Sequence, residues 1–157
     1  MAALKQRGLV EPLREYVKSG RPFLGVCLGL QLLMERTDEG NAPCLGIVQG
    51  QVKRLPSGPL NGMPAGMKIP HMGWNSVRLE SQNARHPILD GVEQDSYFYF
   101  VHSYYAQPLD PTAVAGSTDY GVTFCSILAK DNLMATQFHP EKSGEVGLKV
   151  LRSFLSL

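Results

Sequence analysis

The stretch that decides the fold is Pro22-Phe23-Leu24-Gly25-Val26-Cys27-Leu28-Gly29-Leu30-Gln31-Leu32-Leu33. Residues 22–27 form a short apolar run that reads as a fully buried strand. A helix predicted over 28–36 follows with no linker. Upstream, Leu9, Leu13 and Val17 recur at helical spacing, with Pro12 in the first turn and Gly20 just past the end, which predicts a helix over 11–19. Helix, strand and helix in such close succession is a parallel α/β pattern. At the junction stands Gly25-Val26-Cys27-Leu28-Gly29, of the form G-x-nucleophile-x-G. The central residue of such a turn is strained and its flanks come close together, so neither glycine is expected to tolerate a Cβ. The turn sets the sulfur at the start of a helix, where free N–H groups and the helix dipole favour a thiolate. The N–H of Leu28 points into the same space and is the expected oxyanion donor. A buried structural cysteine is the bland alternative.

Downstream, residues 47–55 alternate as a strand, and residues 56–66, rich in Pro and Gly, read as loop. Two further strands are expected at 67–69 and 75–79, flanking Pro70–Trp74. Tyr97–Val101 is a β-prone aromatic run, followed by a strand at 113–117. Residues 123–129 and 133–138 face each other across Lys130-Asp131-Asn132 as a hairpin. Ser143 is placed to cap a last helix whose apolar face holds Val146, Leu148, Val150, Leu151, Phe154 and Leu155. The fold class is α/β: an open, mostly parallel, doubly wound sheet with a β-rich antiparallel insert and helices at both chain ends.

A chain of 157 residues is the size of one domain and can bury a core without a disulfide or metal staple. Hydrophobic residues at 43% and charged residues at 18% exclude wholesale disorder. A net charge of +1 is too neutral for a nucleic-acid binder that works by neutralising phosphates. The cysteines, Cys27, Cys44 and Cys125, fit neither a disulfide framework nor a C-x-x-C site, and Cys44 and Cys125 are assigned to packing. No apolar run approaches the length of a membrane span, and the first twenty residues lack a secretory pattern, so the cytoplasm is the expected compartment.

A cysteine nucleophile needs a base and a group to orient that base. His86, before Pro87 in a polar stretch, is expected at the surface. His139 follows the apolar strand directly, at a strand end, where sheets of this kind build their sites. Pro140 keeps the segment extended, so His139 and Glu141 point to one side and the carboxylate can hold the ring. An exposed histidine beside a solvated carboxylate is the alternative.

Cys27 at an elbow with His139-Pro140-Glu141 well downstream resembles the class I glutamine amidotransferases. Pro22–Leu33 is similar to their nucleophile segment, and Gln137–Glu141 to their His/Glu segment. Three blocks resemble, within that family, the glutaminase subunits that serve imidazole glycerol phosphate synthesis in histidine biosynthesis. They are Pro70-His71-Met72-Gly73-Trp74-Asn75, Phe100-Val101-His102-Ser103-Tyr104, and Lys142-Ser143 closing His-Pro-Glu-Lys-Ser. The resemblance implies that residues 1–157 are one class I domain with a flavodoxin-like sheet, and that Cys27, His139 and Glu141 hydrolyse L-glutamine through a thioester. It implies that Gln31, His102, Ser103 and Tyr104 lie on the substrate side. It also implies that Met72, Trp74, Asn75 and Lys142 face a (β/α)8 cyclase subunit, to which ammonia passes within a heterodimer. It implies no cofactor and no metal.

From the residues alone, Trp74 suits an interface anchor and a core position equally, and Tyr97–Tyr105 suits an aromatic central strand with His102 as a structural histidine at its end. The family ordinarily opens with a strand, a helix and a second strand, then a Pro-Gly-rich stretch carrying another oxyanion amide. This sequence starts in the helix before the nucleophile strand, so an N-terminally incomplete domain, lacking the first strands and one oxyanion donor, is expected. Three readings stay open at this point: an active, partner-dependent glutaminase, an impaired form that only docks on the cyclase, and a glutaminase of another pathway. Cysteine peptidases with a similar elbow place a histidine where Leu28 stands.

Overall fold

The computed structural model describes residues 1–58, 67–83 and 86–157. Helix α1 (Ala2–Gln6), which the sequence pattern did not announce, precedes α2 (Val10–Lys18), found within a residue of the expected bounds. Strand β1 (Phe23–Val26) then runs through Cys27 into α3 (Leu28–Leu32). This helix stops four residues short of the predicted end at 36. Segment 44–48 doubles back over its last turn, and the N–H groups of Leu45, Ile47 and Gly46 take the carbonyls of Leu32, Leu33 and Met34 at 2.8–2.9 Å. Carbonyls satisfied from outside no longer need a further helical turn.

Two-residue strands β2 (Arg36–Thr37) and β3 (Ala42–Pro43) lead to β4 (Gly50–Arg54), which begins three residues later than expected. Residues 56–58 of the expected loop are neither helix nor strand, and residues 59–66 lie outside the described set. Residues 67–69 are not a strand. Instead a single strand, β5 (His71–Leu79), takes in most of the segment expected to separate two strands. It is followed by β6 (Ser96–His102), β7 (Tyr104–Pro108), β8 (Val114–Asp119), β9 (Thr123–Lys130), β10 (Leu133–Thr136) and helix α4 (Gly144–Leu155).

A six-stranded sheet has the order β1-β10-β9-β8-β5-β6, and a four-stranded sheet the order β3-β2-β4-β7. The architecture is α/β with the expected antiparallel region. Among the described residues the parallel pairings are β1 with β10 and β2 with β4, and the other pairings are antiparallel. The expectation of a mostly parallel sheet is therefore corrected to a mixed one, in which strands that follow one another along the chain pair back on themselves. The β9–β10 hairpin forms as expected, Leu133 opposite Lys130, with Asp131 at positive φ in the turn. The aromatic run is an edge strand, β6, rather than a central one. The chain leaves it for the second sheet across Ser103 alone.

One core cluster gathers Phe98, Phe100, Ile127, Met134 and Phe138, with Phe98 stacked on Phe138 at 3.9 Å between ring centres. The other gathers Leu30, Leu33, Met34, Leu128 and Ala135 beneath α3. Strand β9 is buried from Phe124 to Ala129, so Cys125 is a packing residue, and Cys44 is buried as well. Among the described residues no helix is long and apolar enough to cross a membrane.

Candidate active site

Strands β1 and β10 run parallel in register, Val26 opposite Thr136, so both end at the same sheet edge. Cys27 follows one and Gln137-Phe138-His139 the other. The Cys27 N–H donates to the Thr136 carbonyl at 2.7 Å, and the chain turns with Cys27 at φ 51°, ψ −103°. A non-glycine residue held there stores about 1–3 kcal/mol, characteristic of a nucleophile elbow. The turn is tight on one side only. A Cβ on Gly25 would meet the Gly29 carbonyl carbon at 2.9 Å, whereas a Cβ on Gly29 would meet nothing within 4 Å. The expectation that neither glycine tolerates a Cβ is therefore corrected for Gly29.

Burial pushes the Cys27 thiol up from its ordinary value, and the negative charge of Glu141 adds to the rise. Against it act hydrogen bonds from the Leu28 N–H and the Gln137 amide, and the charge of Lys142. With only five residues in α3, these donors rather than a long helix dipole favour a thiolate.

His139 is held by its backbone from two sides. Its N–H donates to the Tyr99 carbonyl at 2.9 Å, and its carbonyl accepts from Ser143 Oγ at 2.7 Å. Ser143 Oγ in turn accepts from the Tyr99 N–H at 2.9 Å. Ser143 precedes α4 as expected, but its hydroxyl makes no capping bond, because it is spent on this bridge. The ring Nδ1 of His139 lies 2.8 Å from Glu141 Oε1. A carboxylate accepts, so Nδ1 carries a proton, and in the neutral ring the lone pair is on Nε2. Nε2 is buried and makes no hydrogen bond among the described residues. A lone pair so placed is ready for a proton.

The other expected site residues divide into two groups. Met72 and Trp74 are exposed on one face of β5, across from Val101 and Tyr99 of β6, and Trp74 meets Tyr99 edge to face. Lys142 is exposed too. Asn75 turns the other way: its amide donates to the Asp119 carbonyl at 3.0 Å and lies 3.3 Å from His71 Nε2. His71 Nδ1 is 3.0 Å from His102 Nε2, and His102 Nδ1 is 2.9 Å from the Tyr104 carbonyl. That carbonyl only accepts, so both rings are fixed as Nδ1–H tautomers, each Nε2 accepting. Burial, followed by the neighbouring His102, lowers the His71 pKa to about 4. Burial also lowers His102 to about 4, helped by His139 and opposed by the bond to Tyr104. The His102 ring is thus spent inside the protein, while Ser103 and Tyr104 are partly exposed beyond it. Gln31 is buried, its amide nitrogen 2.8 Å from the Tyr104 carbonyl. His86 is half-buried, accepting from the Ile88 N–H at 3.3 Å, rather than free at the surface.

The sequence reading assigned no individual role to Tyr99, Gln137 or His71, and to Ser143 only that of a helix cap. Their signal lay in the blocks that hold them: Gln137 and Ser143 flank the His/Glu motif, His71 stands in Pro70–Asn75 and Tyr99 in the aromatic run. A cavity of about 610 Å³ lies at the far end of β10, lined by Arg14, Val17, Lys130 and Leu133 among others. No cysteine or histidine lines it, so size and chemistry disagree here and the chemistry decides. Among the described residues no group of His, Cys, Asp and Glu is arranged to hold a metal ion.

The family model for glutamine amidotransferase class-I matches residues 4–156. The chain is 50% identical over 157 residues to imidazole glycerol phosphate synthase subunit HisH of Nitrosomonas europaea, covering 99% of this chain and 72% of that protein. It is 48% identical over 158 residues to the protein of the same name from Dehalococcoides mccartyi, covering 100% of this chain and 72% of that protein. Among solved structures, a glutamine amidotransferase superposes with a TM-score of 0.64 at 18% identity, covering 98% of this chain and 69% of the other. Another, from Thermotoga maritima, gives 0.58 at 15% identity, covering 96% of this chain and 54% of the other. These two likenesses bear on the fold alone.

Proposed function

The chain belongs to the class I glutamine amidotransferase family, and from that premise we propose that it is the glutaminase subunit of an imidazole glycerol phosphate synthase, working through Cys27, His139 and Glu141. The observation that carries this is the buried Nε2 of His139, unpartnered among the described residues, whose Nδ1–H is fixed on Glu141 at 2.8 Å, just beyond the strand that pairs with the one leading into Cys27. The relatives' names supply the pathway.

In this reading the Cys27 thiol gives its proton to His139 Nε2, and the sulfur attacks the carboxamide carbon of L-glutamine. The charge that develops on oxygen is met by the Leu28 N–H. His139 hands the proton to the leaving nitrogen as the C–N bond breaks, which frees ammonia and leaves a glutamyl thioester. Water, deprotonated by His139, then cleaves the thioester to glutamate and restores the thiol. Glu141 keeps the ring in one tautomer and stabilises its charged form. Gln31 and the Ser103–Tyr104 turn flank the amino-acid end of the substrate. Met72, Trp74 and Lys142 present the face for a (β/α)8 cyclase subunit, to which ammonia is passed. Asn75 supports that face from behind. Residues 1–157 act as one domain, in the cytoplasm.

The test is glutamate release from glutamine, with and without a cyclase subunit and its nucleotide ligand, beside a Cys27→Ala control. Turnover above the control that rises with the partner is expected. Turnover equal to the control under both conditions refutes the proposal.

A further inference from the structure

The side chain of Gln137 is fully buried just beyond β10, and the orientation of its amide follows from its neighbours. The Tyr104 carbonyl can only accept, so the side-chain nitrogen of Gln31 is the atom that faces it, at 2.8 Å. The same nitrogen lies 3.2 Å from the side-chain oxygen of Gln137. A flipped Gln137 would set NH2 against NH2 there and lose that bond. The Gln137 nitrogen is thereby turned toward Cys27 Sγ, at 3.6 Å. The frame behind it is rigid. Tyr104 O is also held by His102, which accepts from His71, which accepts from Asn75.

We propose that Gln137 belongs to the catalytic machinery: its amide N–H, aimed by Gln31, donates to the Cys27 sulfur and favours the thiolate. This rests on the glutaminase reading and adds to it a residue that touches the reacting atom. When the thiol proton passes to His139 Nε2, the charge left on sulfur is met by two N–H groups, from Leu28 in the backbone and from Gln137 in a side chain. As the C–S bond forms, that charge moves to the carboxamide oxygen and the sulfur releases its claim on both donors. A hydrogen bond to a charged acceptor carries enough to change the thiolate fraction about 10- to 100-fold near neutral pH.

The discriminating variant is Gln137→Met, which keeps length and volume, brings no charge, and lacks the donor. The readout is the rate of Cys27 alkylation by iodoacetamide against pH in the full chain, with Cys27→Ser giving the background from the buried Cys44 and Cys125. The expected result is a midpoint raised by about one to two pH units, and alkylation at pH 7 slowed about 10- to 100-fold. With the partner present, kcat for glutamine falls more than KM rises. A folded Gln137→Met chain with the wild-type midpoint overturns the proposal, since a merely structural role leaves that midpoint alone. Should Gln137→Met fail to fold, Gln137→Leu is equally uncharged and lacks the donor, and an unmoved midpoint there overturns it equally. Alkylation needs no glutamine, so the two readings fail separately. A responsive thiol in a chain that never hydrolyses glutamine removes the glutaminase reading alone. An unresponsive thiol in an active chain removes the Gln137 reading alone.

Discussion

Gly25→Ala and Gly29→Ala place the same methyl group on the two sides of one elbow, and the structure separates them. At Gly25 the added Cβ lies 2.9 Å from the Gly29 carbonyl carbon, 3.0 Å from its oxygen and 3.1 Å from the Leu30 nitrogen. Carbon atoms in contact prefer about 3.5–4.0 Å, so the first turn of α3 has to retreat by roughly half an ångström or more. All three atoms are backbone, and no rotamer change relieves them. Overpacking of this kind costs about 1–3 kcal/mol. The retreat also carries the Leu28 N–H away from the sulfur, so Cys27 alkylation at neutral pH slows. At Gly29 the methyl meets nothing within 4 Å, in a helical position without positive φ, and replacing glycine there stabilises by about 0.5–1 kcal/mol. The pair should therefore differ by about 1.5–4 kcal/mol in urea-unfolding free energy, with opposite signs relative to wild type. Equal destabilisation of both variants, or a Gly25→Ala chain with wild-type midpoint and alkylation rate, would refute the one-sided elbow.

Three other outcomes follow from the same geometry. Ser143→Ala removes both bonds of the buried bridge between Tyr99 and His139, costing about 1–3 kcal/mol by denaturant titration. Ser143→Asp, a good helix cap, does not restore that loss if the bridge rather than a cap is what matters. Glu141→Ala lowers glutamine turnover about 100-fold or more while Cys27 alkylation at pH 7 is no slower, because the Glu141 charge raises the thiol pKa. The two depressed histidines predict acid sensitivity. Unfolded, His71 and His102 take protons near pH 6.5, and folded only near about 4. Stability is complete above 6.5 and falls by about 5 kcal/mol for the pair by pH 4.5, as urea titrations between pH 7.5 and 4.5 will measure, with a shallower fall in a His102→Gln chain. A flat profile contradicts the neutral, tautomer-locked pair.

Local chemistry was legible where one residue type answers one local need. Pro22–Gly29 announced a strand, an elbow and a helix because apolar run, glycine spacing and cysteine all belong to a single turn. The hairpin at Asp131-Asn132 was legible for the same reason. The end of α3 was not, because it is set by segment 44–48, more than ten residues away, capping carbonyls from outside. Nor was the continuity of β5, since Gly73 and Pro70 punctuate the sequence like a loop while pairing with β6 carries the strand from His71 onward. Ser143 illustrates the same limit. Its position before a helix fits a cap, yet the nearer demand came from the His139 carbonyl and the Tyr99 N–H.

The site's polarity lay furthest from the sequence, since it depends on which way each hydrogen bond points. Histidine, asparagine and glutamine can each present a donor or an acceptor, so the string Asn75, His71, His102, Gln31, Gln137 has no direction when read along the chain. The direction is imposed by the one member that cannot donate, the backbone carbonyl of Tyr104, where the two arms meet. From that acceptor outward, each ring and amide is forced into one orientation, ending with an N–H toward Cys27 Sγ on one arm and the Asn75 amide behind the exposed face of Met72 and Trp74 on the other. A reversal anywhere along either arm sets donor against donor or acceptor against acceptor, and an unmade buried bond costs about 1–3 kcal/mol. The nucleophile's donor and the support of the proposed partner face are thus set by the same carbonyl. Its place is fixed by the single residue, Ser103, over which the chain crosses from one sheet to the other.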